Sequence, residues 1–346
     1  PDKFYDRLRD EAKNFEGEIV GANLQYDLDW LRARHGIQFP KAKFRDVQIA
    51  EPLIDENRMT YKLGALTKKY LNKRKQDDGL QEFYGKGYIE NMHLVHTGHA
   101  AEYGEGDVTL PWQVMDKQQV VMEDDGLIDL FHMESSVTPL LLEMRAQGVR
   151  IDLDKASESH QALKAEQSEI EQRVNEIAGT PIDIWAPASI AIAFDALGLE
   201  YNKTTTGKPS FTKDFLNGSK HEIAKLIVQA RSNDKVAGTF IKSYILDSHI
   251  NGRLHCMFNP LKSDSGGTVS GRFSSSGPNL QNIPARHPVL GPLMRSMFLP
   301  DEGMIWGSLD WSQIEYRLLV HYASKTLGID ASDAVRMYRN DPKTDF

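Results

Sequence analysis

Apolar residues recur along this chain at spacings that switch between helix and strand. Phe4, Leu8, Ala12 and Phe15 step by three or four, the mark of an amphipathic helix over residues 3–15. Glu18-Ile19-Val20-Gly21-Ala22 then reads as a short buried strand, and Leu24, Leu28 and Leu31 return to helical spacing. A strand followed directly by a helix favours an α/β layer. Helical patterns dominate up to about Phe131, interrupted by a cluster of Gly, His and acidic residues from His96 to Asp107. Asp152 to Gly179 is a long amphipathic run in which Ala156, Leu163, Ile170 and Ile177 repeat every seven residues beside Val174. Asp152 or Asp154 can cap its start and Gly179 can end it. Such a helix suits a coiled-coil partner or an arm projecting from a domain. Pro181 and Pro187 break the pattern, Thr204 to Pro209 is a loop, and residues 220–250 are helical again. Met304-Ile305-Trp306-Gly307-Ser308-Leu309 reads as a buried strand ending in Asp310, with a helix carrying Ile314, Leu318 and Tyr322 directly after it.

At roughly 100–200 residues per domain, 346 residues suggest two or three domains. An apolar fraction of 40% and a charged fraction of 26% are ordinary for globular protein. No stretch approaches the ~18 uncharged apolar residues of a membrane span, and Pro1 to Tyr5 lack the apolar core of a signal peptide. The single cysteine, Cys256, excludes an internal disulfide, reads as a small core residue and fits a reducing, cytoplasmic setting. A net charge of −8 argues weakly against a nucleic-acid partner. Residues 201–299, however, hold 13 Lys/Arg against 5 Asp/Glu, so this window is +8 and the remainder −16. A basic segment in an acidic chain suits phosphates bound along one groove, and equally a solvated basic face.

Motifs separate the two. A carboxylate at the C-terminal end of a buried strand stands where α/β folds place ligands, and a divalent cation offsets the desolvation of such a group. Alone, Asp310 also suits a helix N-cap. Its neighbours decide: Asp310-Trp311-Ser312-Gln313-Ile314-Glu315-Tyr316-Arg317 closely resembles motif A of the family A DNA polymerases, whose usual form is Asp-Tyr-Ser-Gln-Ile-Glu-x-Arg. Trp311 stands for the usual Tyr, an exchange that keeps the backbone carbonyl available to metal. The resemblance implies that Asp310 binds two Mg²⁺ ions, with Mn²⁺ as a substitute, and that Trp311 offers its carbonyl. It makes Glu315 the wall that excludes ribonucleotides and Arg317 a support of nearby carboxylates or the primer strand.

Residues 263–277 are rich in Gly and Ser, naively a flexible linker. Gly271-Arg272-Phe273-Ser274-Ser275-Ser276-Gly277-Pro278-Asn279-Leu280-Gln281-Asn282-Ile283-Pro284-Ala285-Arg286 resembles a second signature of the same family, Gly-Arg-Leu-Ser-Ser-x-x-Pro-Asn-Leu-Gln-Asn-Ile-Pro-x-Arg. Small hydroxyls, amides and an Arg suit a sequence-independent clamp on phosphates and minor-groove acceptors. The resemblance puts Arg272 at the primer-terminal pair, assigns Ser274, Ser275, Asn279, Gln281 and Asn282 to the template–primer, and sets Arg286 near the incoming triphosphate. Leu142 to Asp152 resembles the family's entry into the polymerase domain. Arg231 and Lys235, one helical turn apart and facing one way, match a thumb helix that grips duplex DNA.

Upstream, Asn23-Leu24-Gln25-Tyr26-Asp27 and Tyr103-Gly104-Glu105-Gly106-Asp107 resemble the second and third motifs of the family's 3′–5′ proofreading exonuclease. The resemblance implies two-metal hydrolysis, with Asp27 and Asp107 holding metal, Tyr103 orienting the attacking water and Asn23 touching the strand. The first motif, Asp-x-Glu, is absent from residues 1–22, and no second catalytic Asp follows Asp310 in a His-Asp-Glu turn. The chain therefore reads as incomplete at both ends, and by itself as a weak binder of primer–template without turnover.

The fold implied is α/β and α+β, multi-domain: the C-terminal part of a ribonuclease H-like exonuclease domain over residues 1–130, then a partial polymerase domain over 131–346. Within the latter, the helical thumb takes about 153–260 and the start of the palm about 261–346. The function implied is DNA-directed addition of dNMP to a primer 3′ end with proofreading, in an enzyme that is phage-encoded and works in the host cytoplasm. The partners implied are primer–template DNA, dNTPs, and a processivity factor or complementary polymerase subunit, with no membrane. A stand-alone exonuclease and a DNA-binding subunit of a split polymerase are the rival readings.

Overall fold

The computed structural model describes residues 2–73, 77–85, 87–264, 266–284, 287–326, 328–341 and 343–344. The chain divides into two compact units, Pro1–Leu299 and Pro300–Phe346.

The first unit opens with helix α1 (Asp2–Asn14), strand β1 (Glu18–Gly21), helix α2 (Leu24–His35) and strand β2 (Lys43–Asp46). Both strands run parallel, with Gly21 opposite Asp46, and α2 makes the crossover. β2 has no apolar alternation to betray it, because Lys43 and Arg45 flank Phe44. Six helices follow: α3 (Val47–Ile54), α4 (Leu63–Leu71), α5 (Asp77–Tyr84), α6 (Thr97–Asp124), α7 (Ile128–Ser136) and α8 (Thr138–Gln147). Val47, Ala50, Leu66, Val114, Met122 and Phe131 form a core shared by α3, α4, α6 and α7. Within it lies an acid, Glu51, 0% exposed. Its carboxylate meets Lys69 at 2.7 Å and Arg58 at 3.3 Å, and accepts from Tyr70 and Gln118 at 2.8 Å each.

The cluster from His96 to Asp107 does not interrupt the helices. All but His96 lies within α6, with the His96 imidazole capping the start by accepting from the Gly98 N–H. Gly98, Gly104 and Gly106 each weaken a helix by about 1 kcal/mol. The buried side chains Leu110, Val114, Met115 and Met122 hold the 28-residue helix regardless.

Strand β3 (Val149–Ile151) leads into α9 (Leu153–Ala178). The Asp152 carboxylate accepts the Lys155 N–H at 3.0 Å, and Gly179 ends the helix at φ 69°. After α10 (Pro187–Ala196), the short strands β4 (Asn202–Lys203) and β5 (Pro209–Ser210) pair, so the loop from Thr204 is a hairpin tip. Then come α11 (Lys213–Gly218), α12 (Glu222–Asp234) and a π-helical stretch, Lys235–Leu246. α9 is not a projecting arm. Its outer half shares a core with α10, α11 and α12 through Ile170, Val174, Phe194 and Ile227, and its inner half packs on the π-helix through Leu163, Val236 and Ile241. A Lys164–Asp234 ion pair at 2.7 Å crosses the interface. Strands β6 (Arg253–Leu254), β7 (Met257–Asn259) and β8 (Ser274–Ser276), helix α13 (Leu290–Arg295) and strand β9 (Phe298–Leu299) complete the unit. β3 lies between β6 and β9, and β7 pairs with β8, all antiparallel.

The second unit holds helices α14 (Ile314–Lys325) and α15 (Ser332–Asn340). The strand expected over Met304–Leu309 does not form: Ile305 is 90% and Leu309 101% exposed. A strand needs a partner strand for its N–H and C=O groups, and among the described residues no strand pairs with this run. Nor does the helix begin at Asp310; it starts after Gln313, which adopts a left-handed conformation.

Among the described residues, no helix is long and apolar enough to cross a membrane.

Candidate functional site

Asn23 ends the turn from β1 into α2, Tyr26 and Asp27 lie in the first turn of α2, and Tyr103 and Asp107 lie one turn apart on α6. The fold brings these two segments together: burial pushes the Asp27 carboxyl up, and the nearby charge of Asp107 pushes it further. Two acids that repel in this way form a place where a cation gains. Asn23 enters the turn at φ 62° without making a side-chain cap. The orphaned N–H groups there are met by Asp46, a residue that no motif indicated. Asp46 lies at the C-terminal end of β2 and is 5% exposed. One carboxylate oxygen accepts from the N–H of Asn23 at 3.1 Å and of Gln48 at 2.8 Å, and the other from that of Leu24 at 2.7 Å. Burial pushes this carboxyl up to about 6, against the pull of those three donors. Asp46 also caps α3, and an Asp just before a helical run is a readable cap. Its reach to residues more than twenty positions upstream is not readable.

A cavity of about 270 Å³ opens beside this turn, between Asn23, Gln25 and Tyr26 on one side and Met257, Asn259 and Lys262 on the other. Lys262 and Asp264 tie that second side down. The Lys262 ammonium donates to the Arg58 carbonyl at 3.2 Å, and the Asp264 carboxylate accepts the Tyr61 N–H at 2.8 Å.

The Gly/Ser segment is an ordered loop. Gly267, at φ +92°, passes so close to Leu261 that an added Cβ would stand 2.0 Å from its carbonyl oxygen, so only glycine fits. The Ser274 hydroxyl accepts the Gly267 N–H at 2.9 Å. Ser275 is 3% exposed and donates to the Asn279 side chain at 3.0 Å, while Asn279 accepts the Gln281 N–H at 3.1 Å. The Gln281 amide donates to the Phe273 carbonyl at 3.1 Å. Ser275 and Asn279 thus hold the loop's shape from inside, whereas Arg272, Gln281 and Asn282 are exposed on it. Arg286 lies outside the described residues.

Arg231 and Lys235 do not share neighbours. The Arg231 guanidinium donates to the carbonyls of Ile184 at 2.8 Å and Phe211 at 3.2 Å, and lies 5.5 Å from the Trp185 ring centre. Burial lowers its pKa, opposed by the charge of Asp183. Lys235, at the change from α- to π-helix, is exposed, 6.0 Å from the Phe240 ring centre.

In the second unit, Asp310, Trp311 and Glu315 are exposed. Arg317 donates to the Ser312 carbonyl at 2.8 Å and lies 4.4 Å above the ring of Tyr338. Tyr338, 8% exposed, donates its hydroxyl to the Gln313 side chain at 3.0 Å. α15 therefore braces the turn on which Asp310 and Glu315 stand, through a tyrosine that no motif indicated. No group of three or more His, Cys, Asp or Glu side chains able to hold a metal occurs among the described residues.

Residues 153–331 match the profile of DNA polymerase family A. A DNA-directed DNA polymerase of Pseudomonas phage M6 is 37% identical over 98% of this chain and 54% of its own length. DNA polymerase I of Bacillus subtilis is 34% identical over 61% of the chain and 24% of its own length. Among solved structures, the POL domain of Pol1 from M. smegmatis, in complex with DNA primer-template and dNTP, superposes with a TM-score of 0.73 at 20% identity. That superposition covers 95% of this chain and 54% of the other, and shows a common fold. The chain spans about half the length of the phage relative.

Proposed function

The chain belongs to DNA polymerase family A, and from that premise we propose that it forms the thumb and the leading part of the palm of a template-dependent DNA polymerase. The reaction proposed is addition of dNMP to a primer 3′ end. The observation that carries this reading is the braced loop from Gly266 to Pro284, in which internal hydroxyls and amides fix the backbone while Arg272, Gln281 and Asn282 stay at the surface. A loop made rigid in this way can grip a duplex by its backbone and minor groove without favouring a sequence.

The donor set fits a hard divalent cation: an exposed Asp310 carboxylate, followed by the backbone carbonyl of Trp311. Bound there, such a cation would offset charge on the transferring phosphoryl group. Asp310 and Trp311 would hold it, Glu315 would wall the sugar pocket, and the Tyr338 brace would keep Gln313 and Arg317 in place. In the full-length protein with Mg²⁺, Asp310→Ala is expected to lower primer extension at least about a thousandfold; extension within tenfold of the parent protein would overturn the assignment.

A second activity, 3′–5′ exonuclease, is favoured by the pairing of Asp27 with Asp107. A half-buried Asp27 carboxyl, raised first by burial and then by the charge of Asp107, suits a hard cation in the same way. Tyr103, one turn before Asp107, would orient the attacking water, and Asn23 would meet the strand.

A further inference from the structure

Asp27 is held by more than its own helix. The body of α2 is anchored to α8 by two ion pairs, Asp29 with Arg145 at 2.8 Å and Arg32 with Glu143 at 2.7 Å. Its first turn makes no ion pair to α8 among the described residues, and Leu24 there packs in a small cluster with Leu28, Phe44 and Leu142. The turn begins at Asn23 in the left-handed region that asparagine tolerates better than most residues, and the Asn23 side chain makes no cap. The N–H groups at the start of a helix have no partner within it.

Asp46 supplies those partners from the neighbouring strand. Its position follows from the parallel register, which sets Asp46 opposite Gly21 at the C-terminal ends of β2 and β1. From there one carboxylate grips two helix starts together: the Asn23 and Leu24 N–H groups of α2 and the Gln48 N–H group of α3. Asp27 stands three residues after Leu24, in the same turn of helix. If the grip is lost, the ion pairs to α8 still hold the rest of α2, so the movement concentrates in residues 23–27. A displacement of about 1 Å at a reacting group can cost about a hundredfold in rate.

We propose that Asp46 is a positioning residue for exonuclease action: it sets the turn that presents Asp27, without itself touching substrate. This rests on the exonuclease reading given above. The test uses the full-length protein, a single-stranded oligonucleotide for the exonuclease and a primed template for extension. Asp46→Ala is expected to lower exonuclease kcat about tenfold to a hundredfold, with KM for the oligonucleotide unchanged. It should also raise the Mg²⁺ concentration that half-saturates the exonuclease, and leave primer extension as it was. Asp46→Asn, which keeps one acceptor oxygen, should recover part of the loss. A parental kcat and Mg²⁺ dependence in Asp46→Ala would overturn the proposal. So would a parallel loss of exonuclease and extension that tracks the fraction of protein folded. Asp27→Ala separates the two ideas: if it leaves exonuclease activity intact, or if the parent protein has none, the exonuclease reading has failed and the role of Asp46 falls with it.

Discussion

Asp46 and Asp310 occupy similar places in two stretches of sequence, each after a short extended or apolar run and each ahead of a helix, yet their surroundings are opposite. Asp46 is buried, accepts three N–H groups and caps its helix. Asp310 is exposed, and its helix starts only after Gln313. Partners make the difference. β2 lies along β1 with four matched positions, whereas Met304–Leu309 has no strand beside it among the described residues. The contrast extends to the glutamates: Glu51 has two cations and two neutral donors around it, while Glu315 is exposed. Asp46 and Glu51 hold the architecture of the first region, whereas Asp310 and Glu315 lie at the surface.

The largest effect that can break this contrast concerns the glutamates. Glu51→Ala strands Lys69 and Arg58 beside a buried void and is expected to cost about 3–5 kcal/mol, against less than about 0.5 kcal/mol for Glu315→Ala. Thermal or urea unfolding of the two variants side by side measures it, and equal losses would erase the distinction.

A smaller effect sharpens it through pH. The Asp46 carboxyl is held at about 6, above its ordinary 3.8, so its protonated form favours the folded state. That contribution is complete below about pH 4 and is lost as pH rises through about 6, a difference of about 3 kcal/mol by the two-unit shift. Stability of the parent protein should therefore fall relative to Asp46→Asn between pH 4 and 7. Parallel curves for the two would show that the carboxyl is not held up. The smallest effect lies in the open region: Tyr338→Phe keeps the ring beneath Arg317 and loses the hydroxyl bond to Gln313, for about 1 kcal/mol in unfolding.

The same contrast explains what the chain's pattern revealed. α1, β1, α2 and α9 were legible because their apolar spacing is local, as is the Asp152 cap of α9, and the segments 271–284 and 310–317 were legible because their residues follow each other without gaps. β2 was not, because charged residues flank its single inward Phe44. Asp46 and Glu51 were not, because their partners lie up to 67 positions away. Met304–Leu309 has a strand's composition, but composition cannot supply a neighbour.

Between Lys235 and Leu246 the π-helix sets contacts five residues apart: Lys242 pairs with Asp247, and Ser243 and Ser248 bond to the carbonyls of Gly238 and Ser243. Removing one residue from an ordinary helix turns everything after it by about 100°. Here the wider turn spaces the inward side chains more broadly, and Val236, Ala237, Phe240, Ile241 and Ile245 all reach the core shared with α9. This stretch therefore fixes the chain's register against α9, and a one-residue deletion within it should displace Ile241 and Ile245 from the core.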